Sequence, residues 1–388
     1  MLLFDKFHTG KQHFVCGNSC ELKWKTMLPS IPKYAAESMA AYDSEGNLYF
    51  GCHSGMFYSL DRNGHIRWDF HTTEKNYSSP VLYKDTVIAS TGDGLLLCFQ
   101  KDSGDVKWLF DLKKGYYDTK EQKIVQTVLH LPFTYSVKRR MNMDTKCWSS
   151  PMLIDGKVFI TAFGKGFYCI DSETGIDCWS LDLGYPRFHL SGVVADDENY
   201  IYFGSRKGEF FKYDINGGLC WNMNICGFDL WGNPTYDNKY KHILLSMSRN
   251  ENKGVIMAVD KNGKRVWSLK LKGAIYGSVA NDGGIGFCSD FAGFLYKIDL
   301  SDGTILQEVK LSNATRALWT TPVIDAEGSI YIVTKDSDND GRLIKLNDSF
   351  HIVWEVKIGK SLSSPVIFEN GDICVGSWDG YYYCFKTL

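Results

Sequence analysis

Short runs of alternating or continuous apolar residues, each bounded by glycine and aspartate, recur along the whole of this chain. One run, Leu95-Leu96-Leu97-Cys98-Phe99, follows Gly92-Asp93-Gly94 and precedes Asp102-Ser103-Gly104. Another, Glu209-Phe210-Phe211-Lys212-Tyr213, lies between Gly208 and the turn Asp214…Gly217. Runs of this length, rich in aromatic and β-branched residues and closed by turn formers, predict strands. The pattern returns eight times, on Gly55, Gly94, Gly166, Gly208, Gly254, Gly293, Gly341 and Gly380. Apart from the step from Gly94 to Gly166, the spacings fall between 39 and 48 residues, the length of a four-stranded propeller blade. In the second repeat the four strands, A to D, are Ser79–Leu82, Thr86–Ser90, Leu95–Phe99 and a strand carrying Trp108. The C–D turns recur as Asp61…Gly64, Asp171…Gly175, Asp260…Gly263 and Asp299…Gly303, a composition suited to tight hairpins.

Strand D is marked by a tryptophan: Trp68, Trp108, Trp179, Trp221, Trp267 and Trp354, with Val309 in the expected place in the sixth repeat. A large flat side chain at one fixed position is expected to pack between blades. The chain ends after strand C of the eighth repeat, and Glu21–Lys25, with Trp24 in register, is expected to supply the missing strand. The predicted fold is therefore all-β: a single eight-bladed β-propeller of four-stranded antiparallel blades spanning 1–388 and closed by the N-terminal strand. Between the second and third repeats lies an insertion of some 30 residues, 113–146. It contains a possible short helix over 118–130, capped by Asp118 with Glu121 three residues on, and a basic patch, Lys138-Arg139-Arg140. Insertions of this length are often functional, and this one is a candidate lid from which His130 or Arg140 would reach the face below.

The tryptophan-punctuated blades resemble the pyrroloquinoline-quinone-type propeller repeat, with Ser-Ser-Pro opening strand A and Asp-Gly opening strand C. The overall pattern is similar to the eight-bladed outer-membrane assembly lipoproteins of the BamB kind, over roughly residues 24–388. The resemblance implies the fold strongly and a function only weakly. It does not imply the quinone, because no Cys-Cys dipeptide of the quinoprotein dehydrogenase kind occurs.

In such a propeller the D–A and B–C loops share one face. Aligning the starts of strand A places Glu37, Tyr77, Trp148, Leu190, Trp231, Tyr276, Trp319 and Leu362 around the mouth of a central funnel. Aromatic residues dominate this set, and Glu37 is its one charge. Such a set is either an apolar plug or a ligand site. Lys75, Asn76, Arg187, His189, Asp229 and Arg316 lie beside it. Tyr77, Trp148, Trp231, Tyr276, Arg316 and Trp319 are the candidate ligand-binding residues. Glu37 and His189 form a candidate acid–base pair. Two function classes follow: a binding module for a protein, peptide or small organic molecule, or a tailoring or cyclisation enzyme using Glu37 and His189. The loop Asp336-Ser337-Asp338-Asn339-Asp340-Gly341 resembles the opening of a calcium loop, although Asn347 stands where the closing Glu belongs. Asp336, Asp338 and Asp340 are thus candidate calcium ligands beside the alternative of a solvated acidic hairpin.

Charge narrows the partner classes. The formal net charge is −2 with no long single-sign run, so nucleic acid is not expected. The first residues lack a secretory leader and no run approaches 18 apolar residues. A cytoplasmic protein with no membrane span is expected. The twelve cysteines include no CxxC pair. Cys98, Cys169, Cys288, Cys374 and Cys384 fall in predicted strands as small buried hydrophobes, which fits a reduced thiol set.

Overall fold

A computed structural model describes residues 5–29, 38–72, 74–112, 115–116, 147, 149–162, 166–183, 191–205, 208–225, 227–250 and 252–388. The described residues form eight antiparallel sheets that follow one another along the chain, each a meander of hairpins. These are the blades of an all-β, eight-bladed β-propeller, as the repeat predicts. The chain divides into two compact units: residues 1–2 with 40–190, and residues 3–39 with 191–388.

The first unit holds blades 1 to 3. Blade 2 is Val81–Tyr83, Thr86–Ser90, Leu95–Gln100 and Val106–Asp111, within a residue or two of expectation. A fifth strand, Gly115–Tyr116, folds back to pair with Phe110 and Asp111. The insertion therefore starts as an edge strand on blade 2. The possible helix over 118–130 and the patch at 138–140 lie outside the described residues.

The second unit holds blades 4 to 8. Blade 8 is Val366–Ile367, Ile373–Gly376, Tyr381–Thr387 and, as expected, the N-terminal strand Cys20–Met27, in which Trp24 pairs with Cys384. The residues before that strand carry no repeat signal, yet they form a strap across the first strands of all five blades. The carbonyl of Lys6 accepts the Ala195 N–H, Phe7 that of Tyr236, Thr9 that of Asn281 and Gly10 that of Ile324. Gln12 N–H donates back to Ile324, and its side-chain oxygen accepts the Ile367 N–H at 2.8 Å. Gly10 sits at φ +68°, where an added Cβ would come 3.0 Å from the Ala280 side chain and 3.1 Å from the Pro322 carbonyl. Beyond the strap, the ammonium of Lys345, buried at 3% exposure, donates to the Cys16 carbonyl at 2.6 Å.

Tryptophans couple neighbouring blades. Trp68 donates its indole N–H to Lys101 O of blade 2 and Trp108 to Ser172 O of blade 3. Trp221 reaches Lys261 O, Trp267 reaches Leu300 O, and Trp354 reaches Gly17 O. The rings of Trp68, Trp108, Trp221 and Trp267 cover the next blade's C–D turn, at Gly104, Gly175, Gly263 and Gly303. At Gly104 (φ +75°) a Cβ would lie 2.7 Å from the Trp68 ring, so only glycine fits.

The sixth repeat corrects the sequence register. A bulge precedes the tryptophan position in each of the other D strands, and in blade 6 the residue at that position is Gln307, opposite Lys297, rather than Val309. Its amide donates to Ser349 O at 2.8 Å, as an indole would. The turn beneath carries Phe350 at φ 59° in place of glycine, buried at 5% exposure and packed near Phe287. A small residue above and a large one below fill the space that Trp and Gly fill elsewhere. Gln307→Trp alone is expected to overpack Phe350 and lose about 1–3 kcal/mol. Phe350→Gly alone should leave a void of comparable or greater cost. The double variant should recover most of both losses, a coupling that a urea double-mutant cycle measures. Simple additivity would refute the exchange.

Candidate functional site

The loops that join one blade to the next in the second unit carry the residues expected to line the funnel. Trp231 lies between Asp229–Leu230 and Thr235–Asp237, the two halves of blade 5's first strand. Tyr276 lies in the loop entering blade 6, and Arg316 and Trp319 in the loop entering blade 7. The structure brings these residues together. The Trp231 and Tyr276 rings stack 4.2 Å apart at 8°. Trp319 meets Tyr276 edge-on at 5.2 Å.

A fourth ring, Phe291, packs 4.4 Å from Tyr276 and 4.7 Å from Trp319. It comes from the B–C turn of blade 6. Its sequence signal is the position two residues before the blade glycine, which also holds Trp378 in blade 8 and His53 in blade 1. Trp231, Tyr276 and Trp319 are half-buried.

The loops are held by hydrogen bonds that leave the rings little freedom. Phe291 N–H donates to Ala274 O and Ala317 N–H to Phe291 O. Gly273 N–H donates to the Asp290 carboxylate, which also accepts the Tyr296 hydroxyl at 2.8 Å. Ser248 Oγ bridges the carbonyl and N–H of Ile275. The hydroxyls of the Ser-Ser-Pro-like starts of strand A link adjacent blades: Thr321 Oγ1 accepts the Ser278 N–H, and in the first unit Ser150 Oγ accepts the Ser79 N–H.

Arg316 has φ 55°, an uncommon conformation for a residue of its size. Its carbonyl accepts the Trp319 indole N–H at 2.8 Å, and its guanidinium stands 5.8 Å from that ring's centroid. Farther along, Lys360 lies 3.9 Å from the Trp378 ring centroid, next to half-buried Leu362. Cations over ring faces are held by the ring quadrupole.

In the first unit Tyr77 is half-buried, and its hydroxyl is 2.7 Å from His53 Nε2 with the rings edge-on. Burial, and then the Lys75 charge, lower the His53 pKa to about 4, so the imidazole is neutral at physiological pH. Asn76 is a structural residue, its amide donating to Thr72 Oγ1 and Gly55 O. Glu37, Trp148, Arg187, His189 and Leu190 lie outside the described residues.

The acidic loop of blade 7 is arranged as ion pairs. Asp336 binds Arg342 at 2.7 Å, Asp338 binds Lys335 at 3.0 Å, and Asp340 binds Lys357 at 3.2 Å. Arg342 holds the Asp336 pKa below the ordinary range, against the opposing effect of burial. Among the described residues no group of three or more His, Cys, Asp or Glu side chains is placed to hold a metal ion. The three carboxylates are directed to separate cations.

Comparison with known proteins places this geometry in a family. Residues 20–129 and 252–372 match the family described as outer membrane protein assembly factor BamB, and the chain belongs to it. BamB of Burkholderia pseudomallei is 22% identical over 321 residues, covering 81% of this chain and 74% of that protein. BamB of Shewanella oneidensis is 22% identical, covering 74% and 67%. The human beta-alanine-activating enzyme is 24% identical over 128 residues, but the match spans 33% of this chain and a tenth of that protein. Among solved structures, BamB from Moraxella catarrhalis shares the fold with a TM-score of 0.70 at 14% identity, covering 95% of this chain and all of that one. A europium-containing methanol dehydrogenase shares it with a TM-score of 0.61 at 11% identity, covering 86% and 88%. Among the described residues no helix is long and apolar enough to cross a membrane.

Proposed function

We propose that the chain is a binding module that takes a segment of a protein partner on the aromatic cluster Trp231, Tyr276, Phe291 and Trp319, with Arg316 at its edge. The observation that carries this reading is the cluster itself. Three of its rings are half-buried, they come from loops rather than from the blade-coupling position, and they are fixed by backbone hydrogen bonds. Rigid, partly exposed Trp, Tyr and Arg side chains are the residues that dominate protein interfaces, because they bury large area at little entropic cost. The assembly-factor name of the matched relatives makes a protein partner the first class to test. A small organic molecule would use the same stacked faces.

The test compares the wild-type chain with Trp319→Ala and Arg316→Glu in capture from an extract of the source organism, followed by titration of the identified, purified partner. The affinity is expected to fall about thirtyfold in Trp319→Ala, the size of a hot-spot truncation of roughly 2 kcal/mol. Unchanged affinity in both variants, with their folding intact, would move the site elsewhere.

A further inference from the structure

Two exposed cysteines occupy the same place in successive blades. Cys178 of blade 3 and Cys220 of blade 4 each precede the strand D tryptophan, and each is the residue skipped by that strand's bulge. In blade 3 Cys169 pairs with Trp179 and Ile170 with Asp177, leaving Cys178 between them. In blade 4 Lys212 pairs with Trp221 and Tyr213 with Leu219, leaving Cys220. The residue across the hairpin is thus a cysteine in one blade and a lysine in the other. The bulge sets the Cys178 side chain beside the Cys169 thiol, and this neighbour, after burial, contributes to raising the Cys169 pKa to about 12. One thiol is open to solvent and the other is buried at its side.

We propose that Cys178 and Cys169 form a redox modification site, in which a hydroperoxide oxidises the exposed thiol and the buried one resolves it to a disulfide joining the two strands of the hairpin. The Cys178 thiolate attacks the peroxide: an S–O bond forms, the O–O bond breaks, and hydroxide or alkoxide leaves, giving a sulfenic acid. Cys169 then attacks the Cys178 sulfur. The S–S bond forms, the S–O bond breaks, and the departing hydroxide takes the Cys169 proton as water. The peroxide is reduced by two electrons and the dithiol is oxidised by two. Cys178 adjoins Trp179, the residue paired with Cys169 across the hairpin, and adjacent strands lie about 4.7–4.9 Å apart, within the reach of a disulfide. Cys220 meets the same oxidant with Lys212 in the partner's place, whose ammonium donates to Lys261 O. It lacks a resolving thiol across its hairpin. Cys374 and Cys384 are direct cross-strand partners, but both are buried and out of the oxidant's reach.

The experiment treats the full-length protein with hydrogen peroxide at graded ratios and maps the cysteine peptides by mass spectrometry without reduction. The expected product joins the Cys169 and Cys178 peptides with the loss of two hydrogen atoms, and it is reversed by a thiol reductant. Cys220 is expected to progress to sulfinic and sulfonic acids instead. In Cys169→Ser, Cys178 should follow Cys220 up the same ladder, and in Cys178→Ser the linked peptide should vanish. Both substitutions replace one sulfur with one oxygen, and the wild-type map is read independently of how either variant folds. Irreversible oxidation of Cys178 in the wild-type protein at the same rate as Cys220, or a disulfide joining Cys178 to a second chain, would overturn the assignment.

Discussion

A chain that begins at residue 20 is expected to lose the cooperative unfolding transition of the five-blade unit. The strap removed in this way is one extended segment bonded to five successive blades through the N–H groups of Ala195, Tyr236, Asn281, Ile324 and Ile367. Those residues are 0 to 3% exposed, so their N–H groups would be left without partners in the interior. Each orphaned buried donor costs about 1–3 kcal/mol. Several together match the roughly 5–15 kcal/mol that separates a folded domain from its unfolded chain. The truncation also strands the Lys345 ammonium, which donates to the Cys16 and Gly17 carbonyls from a buried site. Circular dichroism melts and limited proteolysis read the outcome. The truncated chain should melt broadly and be cut within residues 191–388, while the full-length chain resists. A cooperative melt within a few degrees of the full-length value would show that the strap only decorates the fold. Gly10→Val provides a point test of the same contact, because the added side chain would strike Ala280 and the Pro322 carbonyl.

The strap shows where sequence reading stops. Blades, turns and the closing strand are legible because a four-stranded meander repeats its side-chain pattern, and Trp24 falls in register with the other strand D tryptophans. The strap works through main-chain carbonyls, which every residue carries, so Lys6, Phe7, Thr9 and Gly10 leave no pattern to find. The blade 6 register was misplaced for a related reason. Without a tryptophan to mark it, the bulge that shifts alternation by one residue is invisible, and Val309 stands in for Gln307. Of the residues expected around the funnel, Trp231, Tyr276 and Trp319 could be singled out because they fall outside the blade-coupling position. Phe291 was missed because its turn was read for its glycine alone. The Asp336 loop was read from its carboxylates, while the cations that engage them, Lys335, Arg342 and Lys357, come partly from other strands.

Acid should release the strap, with His8 as the titrating group. The imidazole is 1% exposed, and its Nδ1 lies 3.2 Å from the Pro234 carbonyl, which identifies the donor as the neutral ring's N–H. Burial is the main cause that lowers its pKa from 6.5 to about 4. Below 6.5 the unfolded chain takes up a proton that the folded chain refuses. Stability is therefore fully present above pH 6.5 and is lost as the pH falls toward 4. The whole shift is worth roughly 3 kcal/mol at 1.36 kcal/mol per pKa unit. Asp5, whose backbone carbonyl accepts the His8 N–H in the same strap, has its pKa raised by burial and acts with the opposite sign. His53 in the other unit acts with the same sign. A difference measurement removes both. His8→Asn keeps a residue that tolerates the positive φ of 56° and does not titrate. Urea unfolding of the wild-type chain and of His8→Asn at intervals from pH 7.5 to 4 should show the gap between them shift by roughly 3 kcal/mol in favour of the variant as the pH falls. Hydrogen exchange at Tyr236 and Asn281, which bond the residues on either side of His8, should accelerate in the wild-type chain alone. A gap that stays constant across that window would mean that His8 is protonated in the folded chain at no cost, and that the strap is held by its backbone bonds irrespective of pH.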